Sequence, residues 1–274
     1  MGRKIRLDVL LVEKGYLETR EKAKRTIMAG LVYSEQVRLD KPGQKIDEDA
    51  PITVKGKAIP YVSRGGLKLE KALKSFHLDL QDKIMIDIGS STGGFTDCGL
   101  QNGVKLSYAI DVGYNQLDWS LRNHPQVVVM ERTNFRYVTE EDLTYGEPEF
   151  ASIDVSFISL KIILPVLAQL LAEDGDVAML IKPQFEAGRE QVGKKGIVKD
   201  PHVHTEVLRK ILDFSTEHGY SIEGLTYSPI TGGDGNIEFL AHLRLVGEKE
   251  GKNKTDVEIS DVVKEAHEAH KKHS

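Results

Sequence analysis

The 274-residue chain is poor in cysteine and contains no long apolar run. Its single cysteine, Cys98, excludes a framework of intramolecular disulfides, and nothing in the composition requires an oxidising compartment. The longest apolar stretch, Ile162 to Ala172, is shorter than the roughly 20 residues of a membrane-spanning helix and contains Gln169. The apolar patch near the N-terminus is too short for a secretory signal. These absences predict a cytoplasmic protein that does not insert into a membrane.

Charge is divided unevenly along the chain. Residues 1–60 hold 13 Lys/Arg against 9 Asp/Glu, a net charge of +4, whereas the remainder has a net charge of −9. A basic N-terminal part joined to an acidic body indicates a module that faces nucleic acid. The length suits one large domain and one small one. We therefore predict a domain at 1–60, a second at 61–247 with a linker region at 57–64, and a polar tail at 248–274.

Two short helices are predicted in the N-terminal part. Leu7, Leu10 and Leu11 begin one helix, which Gly15 ends. Thr19 is the expected N-cap of a second, basic helix that runs to Ala29. Strand patterns follow at 31–33, 37–39 and 52–54. Taken alone, the charge run of the second helix is typical of a solvated helix face.

The N-terminal part also resembles the S4 RNA-binding domain. The resemblance is carried, in order, by RLDxLLVEKG, TREKAKxxIMAGLV and KPGxKI. One departure is Ser34-Glu35-Gln36, where the family usually has an Asn-Gly hairpin. The resemblance implies that this part binds RNA. The residues it assigns to RNA binding are Arg6, Arg20, Lys22, Lys24 and Arg25.

The stretch KIMIDIGSSTGGFT, residues 83–96, predicts a buried strand, a glycine turn and the start of a helix. Gly89, Gly93 and Gly94 allow the backbone to approach a ligand closely, and Thr92 is the expected helix cap. The spacing DxGxxxGG differs from the GxGxxG of dinucleotide sites. From the residues alone, an ordinary glycine loop of an α/β protein is the alternative.

This turn is similar to motif I of S-adenosylmethionine-dependent methyltransferases. The resemblance implies S-adenosyl-L-methionine as the cofactor. It also implies a second acidic residue at the end of the next strand, and Asp111 in KLSYAIDV stands there. The cofactor-binding residues implied are Asp87, Gly89, Ser91, Gly93, Gly94, Phe95 and Asp111.

From Ile84 onward the pattern alternates strand and helix, which predicts an α/β fold with a doubly wound, Rossmann-like sheet. The strands are predicted at 84–89, 105–112, 126–130, 150–155 and 176–182, and the helices near 93–101, 115–123, 159–172 and 202–218. Two last strands, at 222–228 and 237–245, predict an antiparallel hairpin at the sheet edge. The sheet is therefore expected to be mostly parallel with an antiparallel last strand, beside a small α+β N-terminal domain.

The C-terminal tail is expected to be solvated and partly frayed. Its His267, His270 and His273 are spaced at i, i+3 and i+6, a row that could bind a metal ion. A polar tail explains the row without a ligand, so we expect no metal site.

Four charged residues are expected near one edge of the sheet, where ligands bind in such folds. Asp154 and Lys182 end two predicted strands, Glu238 belongs to the last strand, and Lys68 precedes the first. A lysine that ends an apolar strand is costly unless it is paired or functional. A buried structural network of ion pairs is one reading of this set.

These four residues and the glycine turn together resemble the FtsJ-like RNA ribose 2′-O-methyltransferases, which use a Lys-Asp-Lys-Glu tetrad. By that resemblance Lys68, Asp154, Lys182 and Glu238 are catalytic, and Lys182 takes the proton from the ribose hydroxyl. With the S4 part in front, the chain resembles the TlyA (hemolysin A) family of rRNA methyltransferases. The matching pieces are SRGGLKL, DIGSSTGGFTD, DVSFISL and LIKPQFE.

This resemblance implies transfer of a methyl group to the ribose 2′-OH of rRNA, with cytidine as the acceptor and rRNA or ribosomal subunits as the partner. The oligomeric state is left open. Two alternatives are a membrane-active haemolysin, as the older family name suggests, and an inactive RNA-binding assembly factor. Phe157 could stack on a flipped base or simply pack, and Arg189 in the basic loop 187–200 could contact RNA or lie in a surface loop.

Overall fold

The computed structural model describes residues 3–35, 37–55, 59–232, 235–247 and 250–271. The chain divides into two compact units, Met1–Arg64 and Gly65–Ser274. Each unit has a hydrophobic core of its own. Residues 56–58, around the start of the linker region, lie outside the described residues, and the domain boundaries drawn from the sequence stay predictions.

The N-terminal unit packs two helices against short antiparallel strands. Leu7, Leu10 and Leu11 of the first helix are buried against Ala23 and Ile27 of the second. The Thr19 hydroxyl accepts a hydrogen bond from the Lys22 amide, so the predicted N-cap is confirmed. The elements are β1 (Lys4–Arg6), α1 (Leu7–Glu13), α2 (Arg20–Met28), β2 (Val32–Ser34), β3 (Val37–Arg38), β4 (Lys45–Asp47) and β5 (Ile52–Val54).

The C-terminal unit is a seven-stranded sheet in the order β11-β12-β10-β9-β6-β7-β8 with helices along its length. The strands are β6 (Ile84–Ile88), β7 (Leu106–Ile110), β8 (Val127–Met130), β9 (Phe150–Ile153), β10 (Asp176–Ile181), β11 (Tyr220–Tyr227) and β12 (Phe239–Leu245). The helices are α3 (Gly65–Phe76), α4 (Gly94–Gln101), α5 (Trp119–Arg122), α6 (Leu160–Leu167), α7 (Pro183–Glu186), α8 (Pro201–Glu217) and α9 (Ile259–Lys271).

The central strands are parallel and buried on both faces. Strand β6 pairs with β7 on one side and β9 on the other, and all five of its residues are buried. This confirms the predicted α/β fold with a mostly parallel sheet. Strands β7, β9 and β10 end one to two residues earlier than predicted, so that Asp111, Asp154 and Lys182 lie just beyond their strands. The Asp111 and Asp154 amides still donate to the neighbouring strands, and all three residues lie at the sheet edge where ligands bind in such folds.

The last strand does not lie at the sheet edge. Strand β12 is inserted between β10 and β11 and runs antiparallel to both. The predicted antiparallel hairpin at the sheet edge is confirmed, since β11 and β12 lie outside the parallel strands, with β11 outermost and β12 beside β10. A two-strand pattern in sequence does not specify which strand faces β10.

The prediction of a solvated tail is wrong. Helix α9 buries Val262, Val263 and Ala266 and packs on α8 and β11. The tail is polar in composition, but its apolar residues recur at helical spacing and form one stripe. His267 lies 2.9 Å from the buried His204, and His270 reaches the Ser228 carbonyl. The third histidine of the row, His273, lies outside the described residues.

Candidate active site

The four residues of the predicted tetrad form one continuous chain of ion pairs. Lys182 Nζ lies 2.5 Å from Asp154 Oδ1, and Lys68 Nζ lies 3.4 Å from Asp154 Oδ2. Lys68 Nζ also lies 2.7 Å from Glu238 Oε2. The order is therefore Lys182, Asp154, Lys68, Glu238, with the sign of the charge alternating at each step. Three strand ends and one helix supply these side chains.

Neighbouring charges, more than burial, set the pKa of Lys68 and Asp154, the two middle members of the tetrad. Burial by itself lowers the pKa of Lys68, but the charges of Asp154 and Glu238 outweigh it and the pKa is raised. Burial likewise raises the pKa of Asp154, and the charges of Lys68 and Lys182 reverse this to a lowered pKa. Lys68 stands in the first turn of α3, where the helix dipole disfavours a cation. Its two carboxylate partners explain why a lysine occupies that position.

The glycine turn follows β6 directly and contacts the tetrad. Gly89 has a φ of 86°, and a Cβ atom there would overlap the carbonyl oxygen of Asp154. Gly93 has a φ of 99° and caps α4, and its Cβ would overlap the side chains of Leu117 and Leu121. Both positions need glycine for conformation and for space. The turn therefore packs closely against the strand end that carries Asp154.

Asp111 lies across the turn from these glycines. One of its carboxylate oxygens accepts from the Ser91 amide at 2.7 Å, and the other accepts from the Gly113 amide at 2.7 Å. The carboxylate is half-buried, and each of its oxygens keeps a further lone pair. A carboxylate fixed in this way at a strand end suits hydrogen bonding from the two hydroxyls of a ribose.

Two residues predicted to bind the cofactor are buried beneath the turn, and the residue predicted to cap the following helix does not cap it. Asp87 is fully buried, and its oxygens accept from the Thr96 amide, the Thr96 hydroxyl and the Ser152 hydroxyl. Burial, despite these hydrogen bonds, raises the pKa of Asp87 to about 7. Phe95 is also buried, and Thr92 does not cap α4, since Gly93 occupies that position. Asp87 thus ties the helix start to two strands and presents no oxygen to the surface.

Phe157 is 90% exposed and lies beside the tetrad. Its φ of 64° is unusual for a residue with a large side chain. The ring contacts Phe185 at a centroid distance of 4.8 Å, and Phe185 lies 5.9 Å from the Lys182 ammonium. Phe157, Phe185 and Arg189 line one shallow pocket. The structure therefore brings Arg189 and Phe157 together, and Phe157 is not a core residue.

In the N-terminal unit, Asp8 gathers two of the predicted RNA-binding arginines. The buried Asp8 carboxylate accepts from Arg6 Nε at 3.0 Å and from Arg20 Nη2 at 2.9 Å. Burial would raise the pKa of Asp8, but the two arginines hold it at about 2. Both arginine side chains stay about half exposed.

The other basic residues of helix α2 are arranged differently. Lys22 pairs with Glu18 and Lys24 pairs with Glu21 on the surface, where ion pairs are weak. Arg25 is half-buried. Arg6 and Arg20 are therefore the two predicted RNA-binding residues that the structure holds in a defined cluster.

Sequence reasoning missed several residues around the site. Ser156 accepts a hydrogen bond from Lys182 Nζ at 3.0 Å. Glu186 accepts from the Ser159 hydroxyl and the Leu160 amide, which ties α7 to the start of α6. Both residues lie inside the motifs DVSFISL and LIKPQFE, so their motif membership was the available signal.

Comparison with known proteins agrees with this architecture. Residues 61–245 match the family described as FtsJ-like methyltransferase, and residues 5–52 match the S4 domain. A Bacillus subtilis protein named "Putative rRNA methyltransferase YqxC" is 67% identical over 97% of this chain and 95% of its own length. In the part of the chain that the structure describes, no helix is both long and apolar enough to cross a membrane.

Two further relatives extend the match. The Mycobacterium tuberculosis 16S/23S rRNA (cytidine-2′-O)-methyltransferase TlyA is 39% identical over 89% of this chain and 91% of its own length. A solved structure named "Putative hemolysin from Streptococcus thermophilus" has a TM-score of 0.80 and 54% identity, covering 100% of this chain and 99% of that one. The chain belongs to the TlyA (hemolysin A) family, an S4 domain joined to an FtsJ-like methyltransferase domain.

Proposed function

We propose that this protein transfers a methyl group from S-adenosyl-L-methionine to the ribose 2′-OH of a cytidine in ribosomal RNA. The observation that carries the proposal is the contact between Gly89 and Asp154, which puts the glycine turn against the tetrad. The nucleotide is taken from the M. tuberculosis relative, whose name specifies cytidine-2′-O transfer. The partner is rRNA or a ribosomal subunit.

The residues around the turn fit this methyl donor. Asp111 would accept from the ribose hydroxyls, and the backbone of Gly89, Ser91 and Gly93 would line the methionine half. Asp87 and Phe95 act from beneath the turn, by fixing the start of α4. When bound, the donor supplies an electrophilic methyl carbon on a sulfonium, so the protein must provide only position and proton transfer.

Lys182 is the proton acceptor in this proposal. The 2′-oxygen attacks the methyl carbon, the carbon–sulfur bond breaks, and the hydroxyl proton passes to Lys182 Nζ. A lysine accepts a proton only in its uncharged form. The negative charge of Asp154 disfavours the uncharged form of Lys182. Lys68 pairs with the same carboxylate and so weakens the attraction between Asp154 and Lys182. Glu238 in turn keeps Lys68 in place and charged.

Residue types argue against other acceptor atoms. A carbon acceptor usually needs a cysteine nucleophile, and the single cysteine, Cys98, is buried in α4. A base nitrogen acceptor often uses an Asn/Asp-Pro-Pro-Tyr/Phe run after the fourth strand. Here that place reads Asp154-Val155-Ser156-Phe157, without proline. Two lysines and two carboxylates suit deprotonation of an alcohol instead.

RNA would be held in two places. Arg6 and Arg20 offer guanidinium groups to phosphates in the N-terminal unit, with Lys22, Lys24 and Arg25 adding positive charge nearby. At the tetrad, the exposed Phe157 ring offers a stacking surface for the acceptor base, and Arg189 a contact for its phosphate.

The test uses a synthetic rRNA fragment whose methylated nucleotide has first been mapped by mass spectrometry. A single 2′-deoxy substitution at that nucleotide should abolish methyl transfer, whereas the same substitution at the next nucleotide should leave most of it. Transfer at a normal rate to the first fragment would exclude the 2′-oxygen. Calorimetry with S-adenosylmethionine separates an active enzyme from an assembly factor that does not bind the donor.

A further inference from the structure

Glu131 follows strand β8 and holds the loop that comes after β7. Its Oε2 accepts from the Asn115 amide at 2.9 Å, and its Oε1 accepts from the amides of Gln116 at 3.0 Å and Leu117 at 3.2 Å. Arg122 Nη2 adds a fourth hydrogen bond at 2.7 Å. One side chain from a different strand therefore satisfies three consecutive backbone donors.

This carboxylate is largely removed from solvent. Its side chain is 8% exposed. The hydrogen bond from Arg122, with help from the three amides, lowers the pKa of Glu131 to about 2. The group is thus ionised throughout the physiological range, and its charge is matched by donors on every side.

The loop that Glu131 holds, residues 112–118, forms one side of the glycine turn. The Asp118 amide donates to the Thr92 carbonyl at 3.0 Å, and the Leu117 side chain fills the space left by Gly93. At its other end, the Gly113 amide donates to Asp111. The loop therefore connects the ribose-binding carboxylate to the turn.

The loop is also conformationally strained. Asn115 has a φ of 56°, a left-handed conformation that costs energy for a residue other than glycine. Its amide is one of the three that Glu131 binds. The Glu131 carboxylate therefore binds the backbone at the point where the loop takes a conformation that favours glycine.

We propose that Glu131 is a positioning residue for the adenosine half of the methyl donor. It holds loop 112–118 in the shape that lets Asp111 meet the ribose and the adjoining backbone meet the adenine. This inference rests on the proposed function, because it takes S-adenosylmethionine as the ligand of the turn.

The experiment compares Glu131→Gln with Arg122→Gln in the full chain, by calorimetry with S-adenosylmethionine. Glu131→Gln loses acceptors for at least one amide and for Arg122, so the donor should bind about 10-fold more weakly or worse. Arg122→Gln removes the ion pair but keeps the three amide bonds, so its affinity should stay within about threefold of wild type. If wild-type protein failed to bind the donor, the proposed function itself would be wrong, and not only this inference.

Two further readouts separate positioning from general stability. Glu131→Gln should lose the same factor of affinity for S-adenosylhomocysteine, which has the same adenosine half. In turnover, the substitution should raise the KM for the donor rather than lower kcat. In Glu131→Asp the carboxylate keeps its charge for Arg122, but the shorter side chain cannot reach all three amides. This variant should bind the donor as weakly as Glu131→Gln does. Wild-type affinity in either Glu131 variant, or an equal loss in Arg122→Gln, would overturn the assignment.

Discussion

Gly232 lies directly against the carboxylate of Glu238, and a Cβ atom on Gly232 would overlap Glu238 Oε1. Glu238 is buried and paired with Lys68, so it cannot move aside without breaking the end of the tetrad. The Gly232 amide donates to the Asn236 carbonyl at 2.9 Å, which holds the glycine in place. A glycine outside the predicted motifs thus takes part in the arrangement of the site.

Gly232→Ala should lower turnover by about 10-fold or more while S-adenosylmethionine binding is kept. The reason is displacement of Glu238 from Lys68, which removes about one charged hydrogen bond. The control is the same change in a Glu238→Ala background, where the truncated side chain leaves room for the new methyl group. An equal loss in both backgrounds, measured as kcat with saturating donor, would show that the alanine acts elsewhere.

Lys182→Ala should lower turnover by a factor on the order of 10²–10⁴, the usual contribution of a general base. The fold and donor affinity should survive, because Lys182 contacts only Asp154 and Ser156 among its described polar partners. Lys210→Ala, an exposed lysine on α8, serves as the matched control. Single-turnover methylation of the mapped RNA fragment measures the effect. If the Lys182→Ala enzyme kept one tenth of wild-type activity, Lys182 would not be the group that accepts the proton.

Asp87→Asn should change how stability depends on pH. The pKa of Asp87 is raised to about 7 in the fold, so the folded protein keeps a proton that the unfolded chain releases near pH 4. Stability conferred by this group is therefore present at low pH and is lost as pH rises to about 7. From pH 5 to pH 8 the loss is about 2–3 kcal/mol, and asparagine cannot undergo it. Urea unfolding at both pH values should show a smaller decrease for the variant, and identical decreases would contradict the buried protonated state.

Asp8→Asn should weaken RNA binding although it removes a negative charge from a basic surface. The carboxylate holds Arg6 and Arg20 together, and an amide would bind one of them at best. We expect a several-fold loss of affinity and a flatter dependence on salt. Glu21→Gln makes the same change of charge beside Lys24 and should leave affinity equal or slightly higher. Tighter binding by Asp8→Asn in a filter-binding titration would mean that charge alone governs this surface.

Val263→Ala should destabilise the C-terminal unit by about 1–3 kcal/mol, because the buried valine of α9 packs on α8 and β11. Glu265→Ala, an exposed residue of the same helix, should change stability by less than about 0.5 kcal/mol. The measurement is the midpoint of chemical unfolding at constant m-value. Equal midpoints for the two variants would mean that α9 contributes no packing energy.

Local pattern was enough to identify the elements that carry the site. The apolar run before Gly89 predicted a buried strand, and the glycines predicted a turn that only residues without a Cβ could form. Polar residues that follow apolar strands predicted Asp111, Asp154 and Lys182 at one edge of the sheet. These inferences succeed because apolar patterning and the conformational freedom of glycine are properties of the local sequence.

Only the tertiary structure decided which groups meet. Lys68 and Glu238 are 170 positions apart, and their pairing depends on the insertion of β12 between β10 and β11. Asp87 is buried under Thr96 and Ser152, and its hydrogen bond to Ser152 joins two strands. Glu131 likewise joins separate strands, because it binds three amides of another loop. Helix α9 is a further case, because its apolar stripe is buried only by packing on α8 and β11. Residue patterns state what each segment must bury, whereas the order of the strands determines what it is buried against.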